Sequence, residues 1–263
     1  MRMTARVSIE IDGGVADVRL NRPEKRNALD AAMFAALIDA GKRVSADKSV
    51  RAVVLSGEGL GFSAGLDFKS FLEGSGGNLL AREDGSLANR AQRAAFVWQE
   101  VPVPVIAAIH GVAFGGGLQI ALGADIRYAT PDAQLSVMEI RWGLVPDMSG
   151  TQTLRHLVRL DVAKELTFTG RIVSGTEAEQ LGLVTRIVAA PREAALATAR
   201  EIAGRSPHAI RSAKQLLNAA DLVSLEEGLL LEEKLQRALL GSPNQIEAVM
   251  ANMEKRSPVF RDP

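Results

Sequence analysis

The chain has 263 residues, 47% of them hydrophobic, which is enough for one large domain with a filled core. Its 31 Lys and Arg balance 31 Asp and Glu, so no global field favours nucleic acid or an anionic membrane. The absence of cysteine excludes disulfides, thiolate metal sites and cysteine nucleophiles.

In chain order, Val7–Ile11 and Val15–Leu20 alternate apolar and polar residues around Asp12-Gly13-Gly14 and predict a β-hairpin. Helical periodicity over Ala31–Val44 follows Asp30, a good N-cap. Ala52–Leu55 reads as a buried strand, and a helix is expected from about Leu87 to Glu100. Between them, Gly74–Gly77 is the segment least able to bury side chains and the expected mobile loop. Val105–Ile109 is a second buried strand, with short strands at Ile126–Ala129 and Gln134–Val137. After Thr151 helical patterns dominate, interrupted by a strand candidate at Val184–Val188. Arg192–Ala203, Ala209–Ala220 and Leu225–Leu240 read as three successive amphipathic helices. The expected organisation is thus an α/β core over residues 1–190 and a helical region over 191–263. No apolar run near the N-terminus suits a secretory signal, and none approaches the ~20 residues that span a bilayer. A cytoplasmic protein without membrane partners is expected.

Gly115-Gly116-Gly117 follows the strand Val105–Ile109 and opens a helical run. In a helix each glycine costs ~1 kcal/mol relative to alanine, so close approach of a ligand to the backbone is the better explanation. The free amides at such a helix start favour an oxygen that carries negative charge. Gly61-Phe62-Ser63-Ala64-Gly65 matches the G-x-S-x-G elbow of serine hydrolases, but the match is short. A triad would need one of only three histidines, His110, His156 or His208; His110 ends a buried strand and His208 follows Ser206-Pro207 at a helix start, an unpromising place for a triad base. The same loop serves better through its backbone. If the Leu66 N–H points into one cleft with the Gly116 N–H, the two form an oxyanion hole for a carbonyl.

Asn21-Arg-Pro-Glu-Lys-Arg-Asn-Ala-Leu29, Phe62-Ser-Ala-Gly-Leu-Asp67 and Ala107-Ala-Ile-His-Gly-Val-Ala-Phe-Gly-Gly-Gly117 resemble the crotonase (enoyl-CoA hydratase/isomerase) superfamily. Ala124–Ala129, Gly143–Pro146, Gly150–Gln152, Leu166–Gly170 and Ala178–Val184 continue the resemblance in order, over nearly the whole chain. The resemblance implies an α/β fold, a crotonase-like spiral of ββα repeats with a C-terminal helical region. It further implies an acyl-CoA substrate and assembly as a homotrimer or a dimer of trimers. The thioester carbonyl would lie between the N–H groups of Leu66 and Gly116. Lys25, Arg26, Ala28, Ala64, Gly65, Asp67 and Gly115 fall on the segments that contact CoA or substrate. Lys255–Phe260 resembles a tail that in some members reaches CoA on a neighbouring subunit.

Hydratases of this superfamily carry two glutamates. The second corresponds to Glu139, whereas the first position holds Gln119. An amide can orient a water or a substrate but exchanges no proton near neutral pH, so the pattern points to double-bond isomerisation. One base, Glu139, would move a proton from the α- to the γ-carbon. Asp147 lies where dienoyl-CoA isomerase relatives carry an aspartate; assisting Glu139 and capping a helix near Met148 or Ser149 are both open to it and do not exclude each other. The alternatives are an enoyl-CoA hydratase and a non-catalytic acyl-CoA binding protein. No metal, flavin or nucleotide redox cofactor is expected, because the glycine runs lack a Rossmann context. Coenzyme A would enter only as part of the substrate.

Overall fold

Strands that are apolar on both faces need cover on both sides, and this requirement organises the chain. The computed structural model describes residues 5–73, 78–82 and 85–263. The expected hairpin forms from β1 (Val7–Asp12) and β2 (Val15–Leu20), which pair antiparallel from Val7–Leu20 to Asp12–Val15. Next to β2 run β3 (Ala52–Gly57), β4 (Val105–Ile109), β6 (Ile126–Ala129) and β9 (Arg186–Ile187), all parallel. A smaller sheet joins β5 (Val112–Phe114), β7 (Gln134–Ser136) and β8 (Val173–Ser174). Ser63 bridges to Ala113, so the loop after β3 takes the place beside β5 that β5 takes beside β7. The successive turns β4–β5 and β6–β7 each contribute one strand to each sheet, and the chain winds as a ββα spiral.

Alternate residues of the large sheet enter separate cores. Val53, Leu55, Val105, Ala107 and Ile109 pack with α1 (Ala31–Ala46) and α3 (Arg90–Glu100). Ala52, Val54, Ile106 and Ala108 face α8 (Pro191–Ala203) through Ala195, Ala199 and Ala203. Small residues at this i, i+4, i+8 spacing let α8 lie close to the sheet. The expected boundary at 190 thus coincides with the start of a helix that itself covers the sheet.

Asp30 caps α1 by accepting from the Met33 N–H, as its position predicts. Helix α3 starts at Arg90 rather than Leu87, because Asn89 and Gln92 form a reciprocal capping box. The strand expected over Val184–Val188 shortens to Arg186–Ile187. Between these elements lie α2 (Phe68–Leu72), α4 (Gly116–Leu122), α5 (Gly150–Leu157), α6 (Leu160–Thr169) and α7 (Gly175–Leu181). The expected mobile loop, Gly74–Gly77, lies outside the described residues.

Four C-terminal helices form rather than the expected three: after α8 come α9 (Pro207–Ala219), α10 (Leu225–Leu239) and α11 (Pro243–Glu254). Lys214 of α9 is buried and donates to the Asp125 carboxylate at 2.7 Å and the Val103 carbonyl at 3.0 Å, which fastens this region to the sheet. The last residues fold back on their own chain, with Asp262 paired to Arg51 and Arg256 to Glu247. No helix among the described residues is long and apolar enough to cross a membrane.

Candidate active site

The loop from Arg22 to Leu29 is shaped by Asn27, which is fully buried with φ 55°. Its side chain accepts from the Arg22 N–H at 2.8 Å and donates to the carbonyls of Glu58 and Gly61, both at 2.9 Å. The left-handed backbone at Arg26 and Asn27 turns the chain so that Leu29 bridges Leu66. In that bridge Leu29 donates to the Gly65 carbonyl at 2.8 Å and accepts from the Asp67 N–H at 3.0 Å. A parallel bridge of this pattern uses the groups on either side of Leu66, so the Leu66 N–H itself turns away from Leu29.

Gly65 has φ +83°, a conformation only glycine adopts freely, and a Cβ there would lie 2.6 Å from the Phe114 carbonyl and 3.7 Å from the Gly116 nitrogen. The two predicted donor segments therefore touch. Gly115, with φ +51° and ψ −121°, turns β5 into α4 and places the Gly116 N–H at the first helical position. An amide there has no intrahelical acceptor.

Both segments line a cavity of about 260 Å³. Of the residues expected to touch substrate, Ala64, Gly65, Leu66, Gly115, Gly116, Glu139 and Asp147 stand on its wall. Others stand apart. Lys25 and Arg26 are exposed on the turn beside it, and Ala28 is buried, its carbonyl accepting from the Arg22 guanidinium at 3.0 Å. Asp67 points to Arg22 at 2.7 Å and caps α2 through the Ser70 N–H. Its geometry is that of a strut between the two loops.

Glu139 begins a 3-10 turn, Glu139–Trp142, after β7, and is 8% exposed. Its Oε1 accepts from Gln119 Nε2 at 2.6 Å, while its buried Oε2 has no protein partner among the described residues. Burial pushes this carboxyl above the ordinary carboxylate range and the neighbouring Asp147 charge adds to the rise, against opposing hydrogen bonds from the Glu139 amide and Gln119.

Gln119, 2% exposed, lies behind Glu139 rather than on the cavity wall. Its Oε1 accepts from the amides of Met148 at 2.8 Å and Gly150 at 2.9 Å. Those two donors fix the amide's orientation, since the reversed amide would set NH2 against two N–H groups. Both lone pairs of Oε1 are thereby used. The amides of Met148 and Gly150 are parts of the site that the residue pattern does not show, although the cluster Pro146-Asp147-Met148-Ser149-Gly150 marks a turn there.

Asp147 is at the mouth of the cavity, partly desolvated, and its carboxyl is also raised. It caps no helix: α5 begins after Ser149, which itself makes no side-chain cap. Ser63, the serine of the hydrolase-like motif, is fully buried; its hydroxyl donates to the Asn27 carbonyl at 2.9 Å and accepts from the Gly65 N–H at 3.2 Å. His110 is held by the Gly59 carbonyl, and His208 by Asn244, both at 2.9 Å. These contacts assign Ser63 to shaping the loop.

The profile of the enoyl-CoA hydratase/isomerase family matches residues 10–263. A probable enoyl-CoA hydratase of Bacillus subtilis (strain 168) is 37% identical over 97% of this chain and 98% of its own length. The mitochondrial Delta(3,5)-Delta(2,4)-dienoyl-CoA isomerase of Mus musculus is 35% identical over 92% of this chain and 77% of its own. The crystal structure of an enoyl-CoA hydratase from Bacillus anthracis superposes with a TM-score of 0.86 at 30% identity, covering 97% of this chain and 98% of that one. This chain is an enzyme of the enoyl-CoA hydratase/isomerase family.

Proposed function

We propose that this enzyme shifts the double bond of an enoyl- or dienoyl-CoA thioester, with Glu139 as the proton carrier. The thioester carbonyl accepts from the Leu66 and Gly116 N–H groups, which gain in strength as negative charge develops on the oxygen. Glu139 Oε2 takes the α-proton, the electron pair moves into the thioenolate, and the same oxygen returns the proton to the γ-carbon. The C=C bond moves by one position and no atom is added. Gln119 acts through Glu139: it occupies Oε1 and leaves Oε2 for the substrate. Asp147, at the mouth, serves the far end of a longer dienoyl shift.

The observation that carries this reading is the state of the Gln119 amide. Its oxygen is filled by Met148 and Gly150, and one N–H is committed to Glu139. It therefore accepts no proton and no water hydrogen bond, which are the tasks a second hydratase carboxylate performs. Hydration is the second reading, favoured by the name of the Bacillus subtilis relative. In that case Glu139 alone would activate the water.

Parallel incubations of the purified enzyme with a medium-chain trans-3-enoyl-CoA and with the trans-2-enoyl-CoA separate the two. From the 3-enoyl thioester a conjugated 2-enoyl product of unchanged mass is expected. A product heavier by one water from the 2-enoyl thioester would establish hydration, and no turnover of either regioisomer across chain lengths would refute both.

A further inference from the structure

The cavity wall restricts what the acyl group can be beyond its reacting carbons. Four of the eight phenylalanines and one of the two tryptophans line this one cavity: Phe34, Phe68, Phe71, Phe114 and Trp142. Phe68 and Trp142 stack with ring centroids 4.2 Å apart and 29° between planes. Trp142 nevertheless remains 57% exposed, an apolar ring at the cavity mouth with surface still to cover.

The position of this pair ties it to the chemistry. Trp142 ends the 3-10 turn that Glu139 begins, and residues i and i+3 of such a turn lie one above the other. Phe68 opens α2 two residues after Leu66, and its cap Asp67 is held by Arg22. The stack therefore spans from the segment that offers the oxyanion donor to the turn that carries the base.

Charge narrows the ligand further. Among the described residues the ionisable side chains on the wall are Glu139 and Asp147, both disfavoured as anions by desolvation. No Lys, Arg or His lines the cavity among the described residues. A second carboxylate on the acyl chain would lose its water and gain no partner.

We infer that the site selects uncharged acyl groups with a planar π-conjugated segment beyond the β-carbon, and that Phe68 and Trp142 determine this specificity. The inference rests on the acyl-CoA reading of the cavity. An aryl ring and a polyene share the chemistry, since either offers a flat π face to the aromatic wall.

The test is calorimetric titration with CoA thioesters saturated between Cα and Cβ, so that turnover plays no part. The aryl arm compares 3-phenylpropanoyl-CoA with 3-cyclohexylpropanoyl-CoA. The polyene arm compares 4,6-nonadienoyl-CoA with nonanoyl-CoA, and nonanoyl-CoA is also compared with its ω-carboxylated analogue. A preference of about 2- to 10-fold for the π-bearing ligand is expected in at least one arm. The preferred arm identifies the natural group. The ω-carboxylate should bind at least ~10-fold more weakly. In Trp142→Leu, which keeps an apolar side chain, the π preference should vanish while the affinity for 3-cyclohexylpropanoyl-CoA stays within ~2-fold. Equal affinities in both arms, a preference that survives in Trp142→Leu, or tolerance of the ω-carboxylate would overturn the inference alone. Failure of every thioester to bind would overturn the acyl-CoA reading with it.

Discussion

Gln119 donates to Glu139 Oε1 at 2.6 Å and leaves Oε2 of the same carboxyl buried without a protein partner among the described residues. One oxygen is thus fixed by the protein and the other is available for a proton. Replacing Glu139 by Gln keeps the shape and the acceptor for Gln119 but removes the proposed base. General acid–base catalysis contributes about 10²–10⁴-fold, so kcat should fall by at least ~100-fold with KM little changed. Full turnover in steady-state assays of Glu139→Gln would refute the role of this residue.

The same carboxyl sets a pH dependence of stability. Burial raises the folded-state pKa of Glu139 above 4.5, so the folded protein holds this proton more tightly than the unfolded chain. Its contribution to stability is full below the unfolded pKa and is lost as pH rises through the folded one. Glu139→Gln should therefore melt at a higher temperature than the parent above the folded pKa, with the gain shrinking towards pH ~4. Asp67 has the opposite sign. Partial burial pulls its pKa up, but the Ser70 N–H and Arg22 outweigh that and lower it below 3.8. Its contribution is present above the unfolded pKa and is lost as pH falls through the folded one, and Asp67→Asn should remove that acid-limb component from melting curves.

Gln119→Glu tests why the chain carries an amide there. One carboxylate oxygen can accept from the Met148 and Gly150 amides as the amide oxygen does. The other would then face Glu139 Oε1 at the present 2.6 Å, and two carboxylates that close must share a proton. The variant should gain a hydration product, visible as a mass increase of one water, and its activity profile should move to higher pH. Unchanged product distribution would show that the second carboxylate was not what hydration lacked.

Much of this site was legible in the residues, for reasons that differ from place to place. The glycine run and the Leu66 loop announce themselves because a close backbone approach excludes Cβ atoms, and both segments reach the cavity wall. The ββα core was legible because its central strands carry continuous apolar runs, Ala52–Leu55 and Val105–Ile109. Asp67 and Gln119 were harder to place, since a polar residue in a motif says nothing about which way its side chain turns. Asp67 turns to Arg22, 45 positions earlier in the chain, and Gln119 to backbone amides near residue 150. Long-range polar contacts of this kind leave no periodicity. Helix α11 went unread although Ile246, Val249, Met250 and Met253 fall at i, i+3, i+4 and i+7, the spacing of an apolar stripe, which the folded chain leaves exposed.

Those exposed side chains, with Leu225, Leu229 and Leu230 of α10, leave apolar surface on the C-terminal helices, and we propose that it is buried in the homotrimer or dimer of trimers that the resemblance implies. Leu229→Asp combined with Leu230→Asp should shift the mass in light scattering from a multiple of 28.0 kDa to that single value. A parent protein that already runs as a monomer would exclude the assembly.

Glycine at 117 is required by contact rather than by backbone angle. A Cβ there would lie 2.6 Å from the Ser63 carbonyl oxygen and 2.8 Å from its hydroxyl, both in the segment leading to Leu66. Neither atom can give way cheaply, because Ser63 N–H donates to Val112, Phe114 N–H donates to the Ser63 carbonyl, and the hydroxyl is bonded to Asn27 and Gly65. Gly117→Ala must therefore push the Leu66 segment away from α4 and widen the space between the two proposed oxyanion donors, the Leu66 and Gly116 N–H groups. Overpacking of this kind costs about 1–3 kcal/mol, and kcat should fall more than KM rises. Gly228, on α10, is the control: a Cβ there meets only Val223 Cγ2 at 3.8 Å, an ordinary contact. Gly228→Ala should raise stability by ~0.5–1 kcal/mol and leave turnover unchanged. Thermal melts of the two variants side by side, with kcat measured on each, check both signs. A Gly117→Ala enzyme as stable and as active as the parent would mean that the two donor segments are not held by this contact.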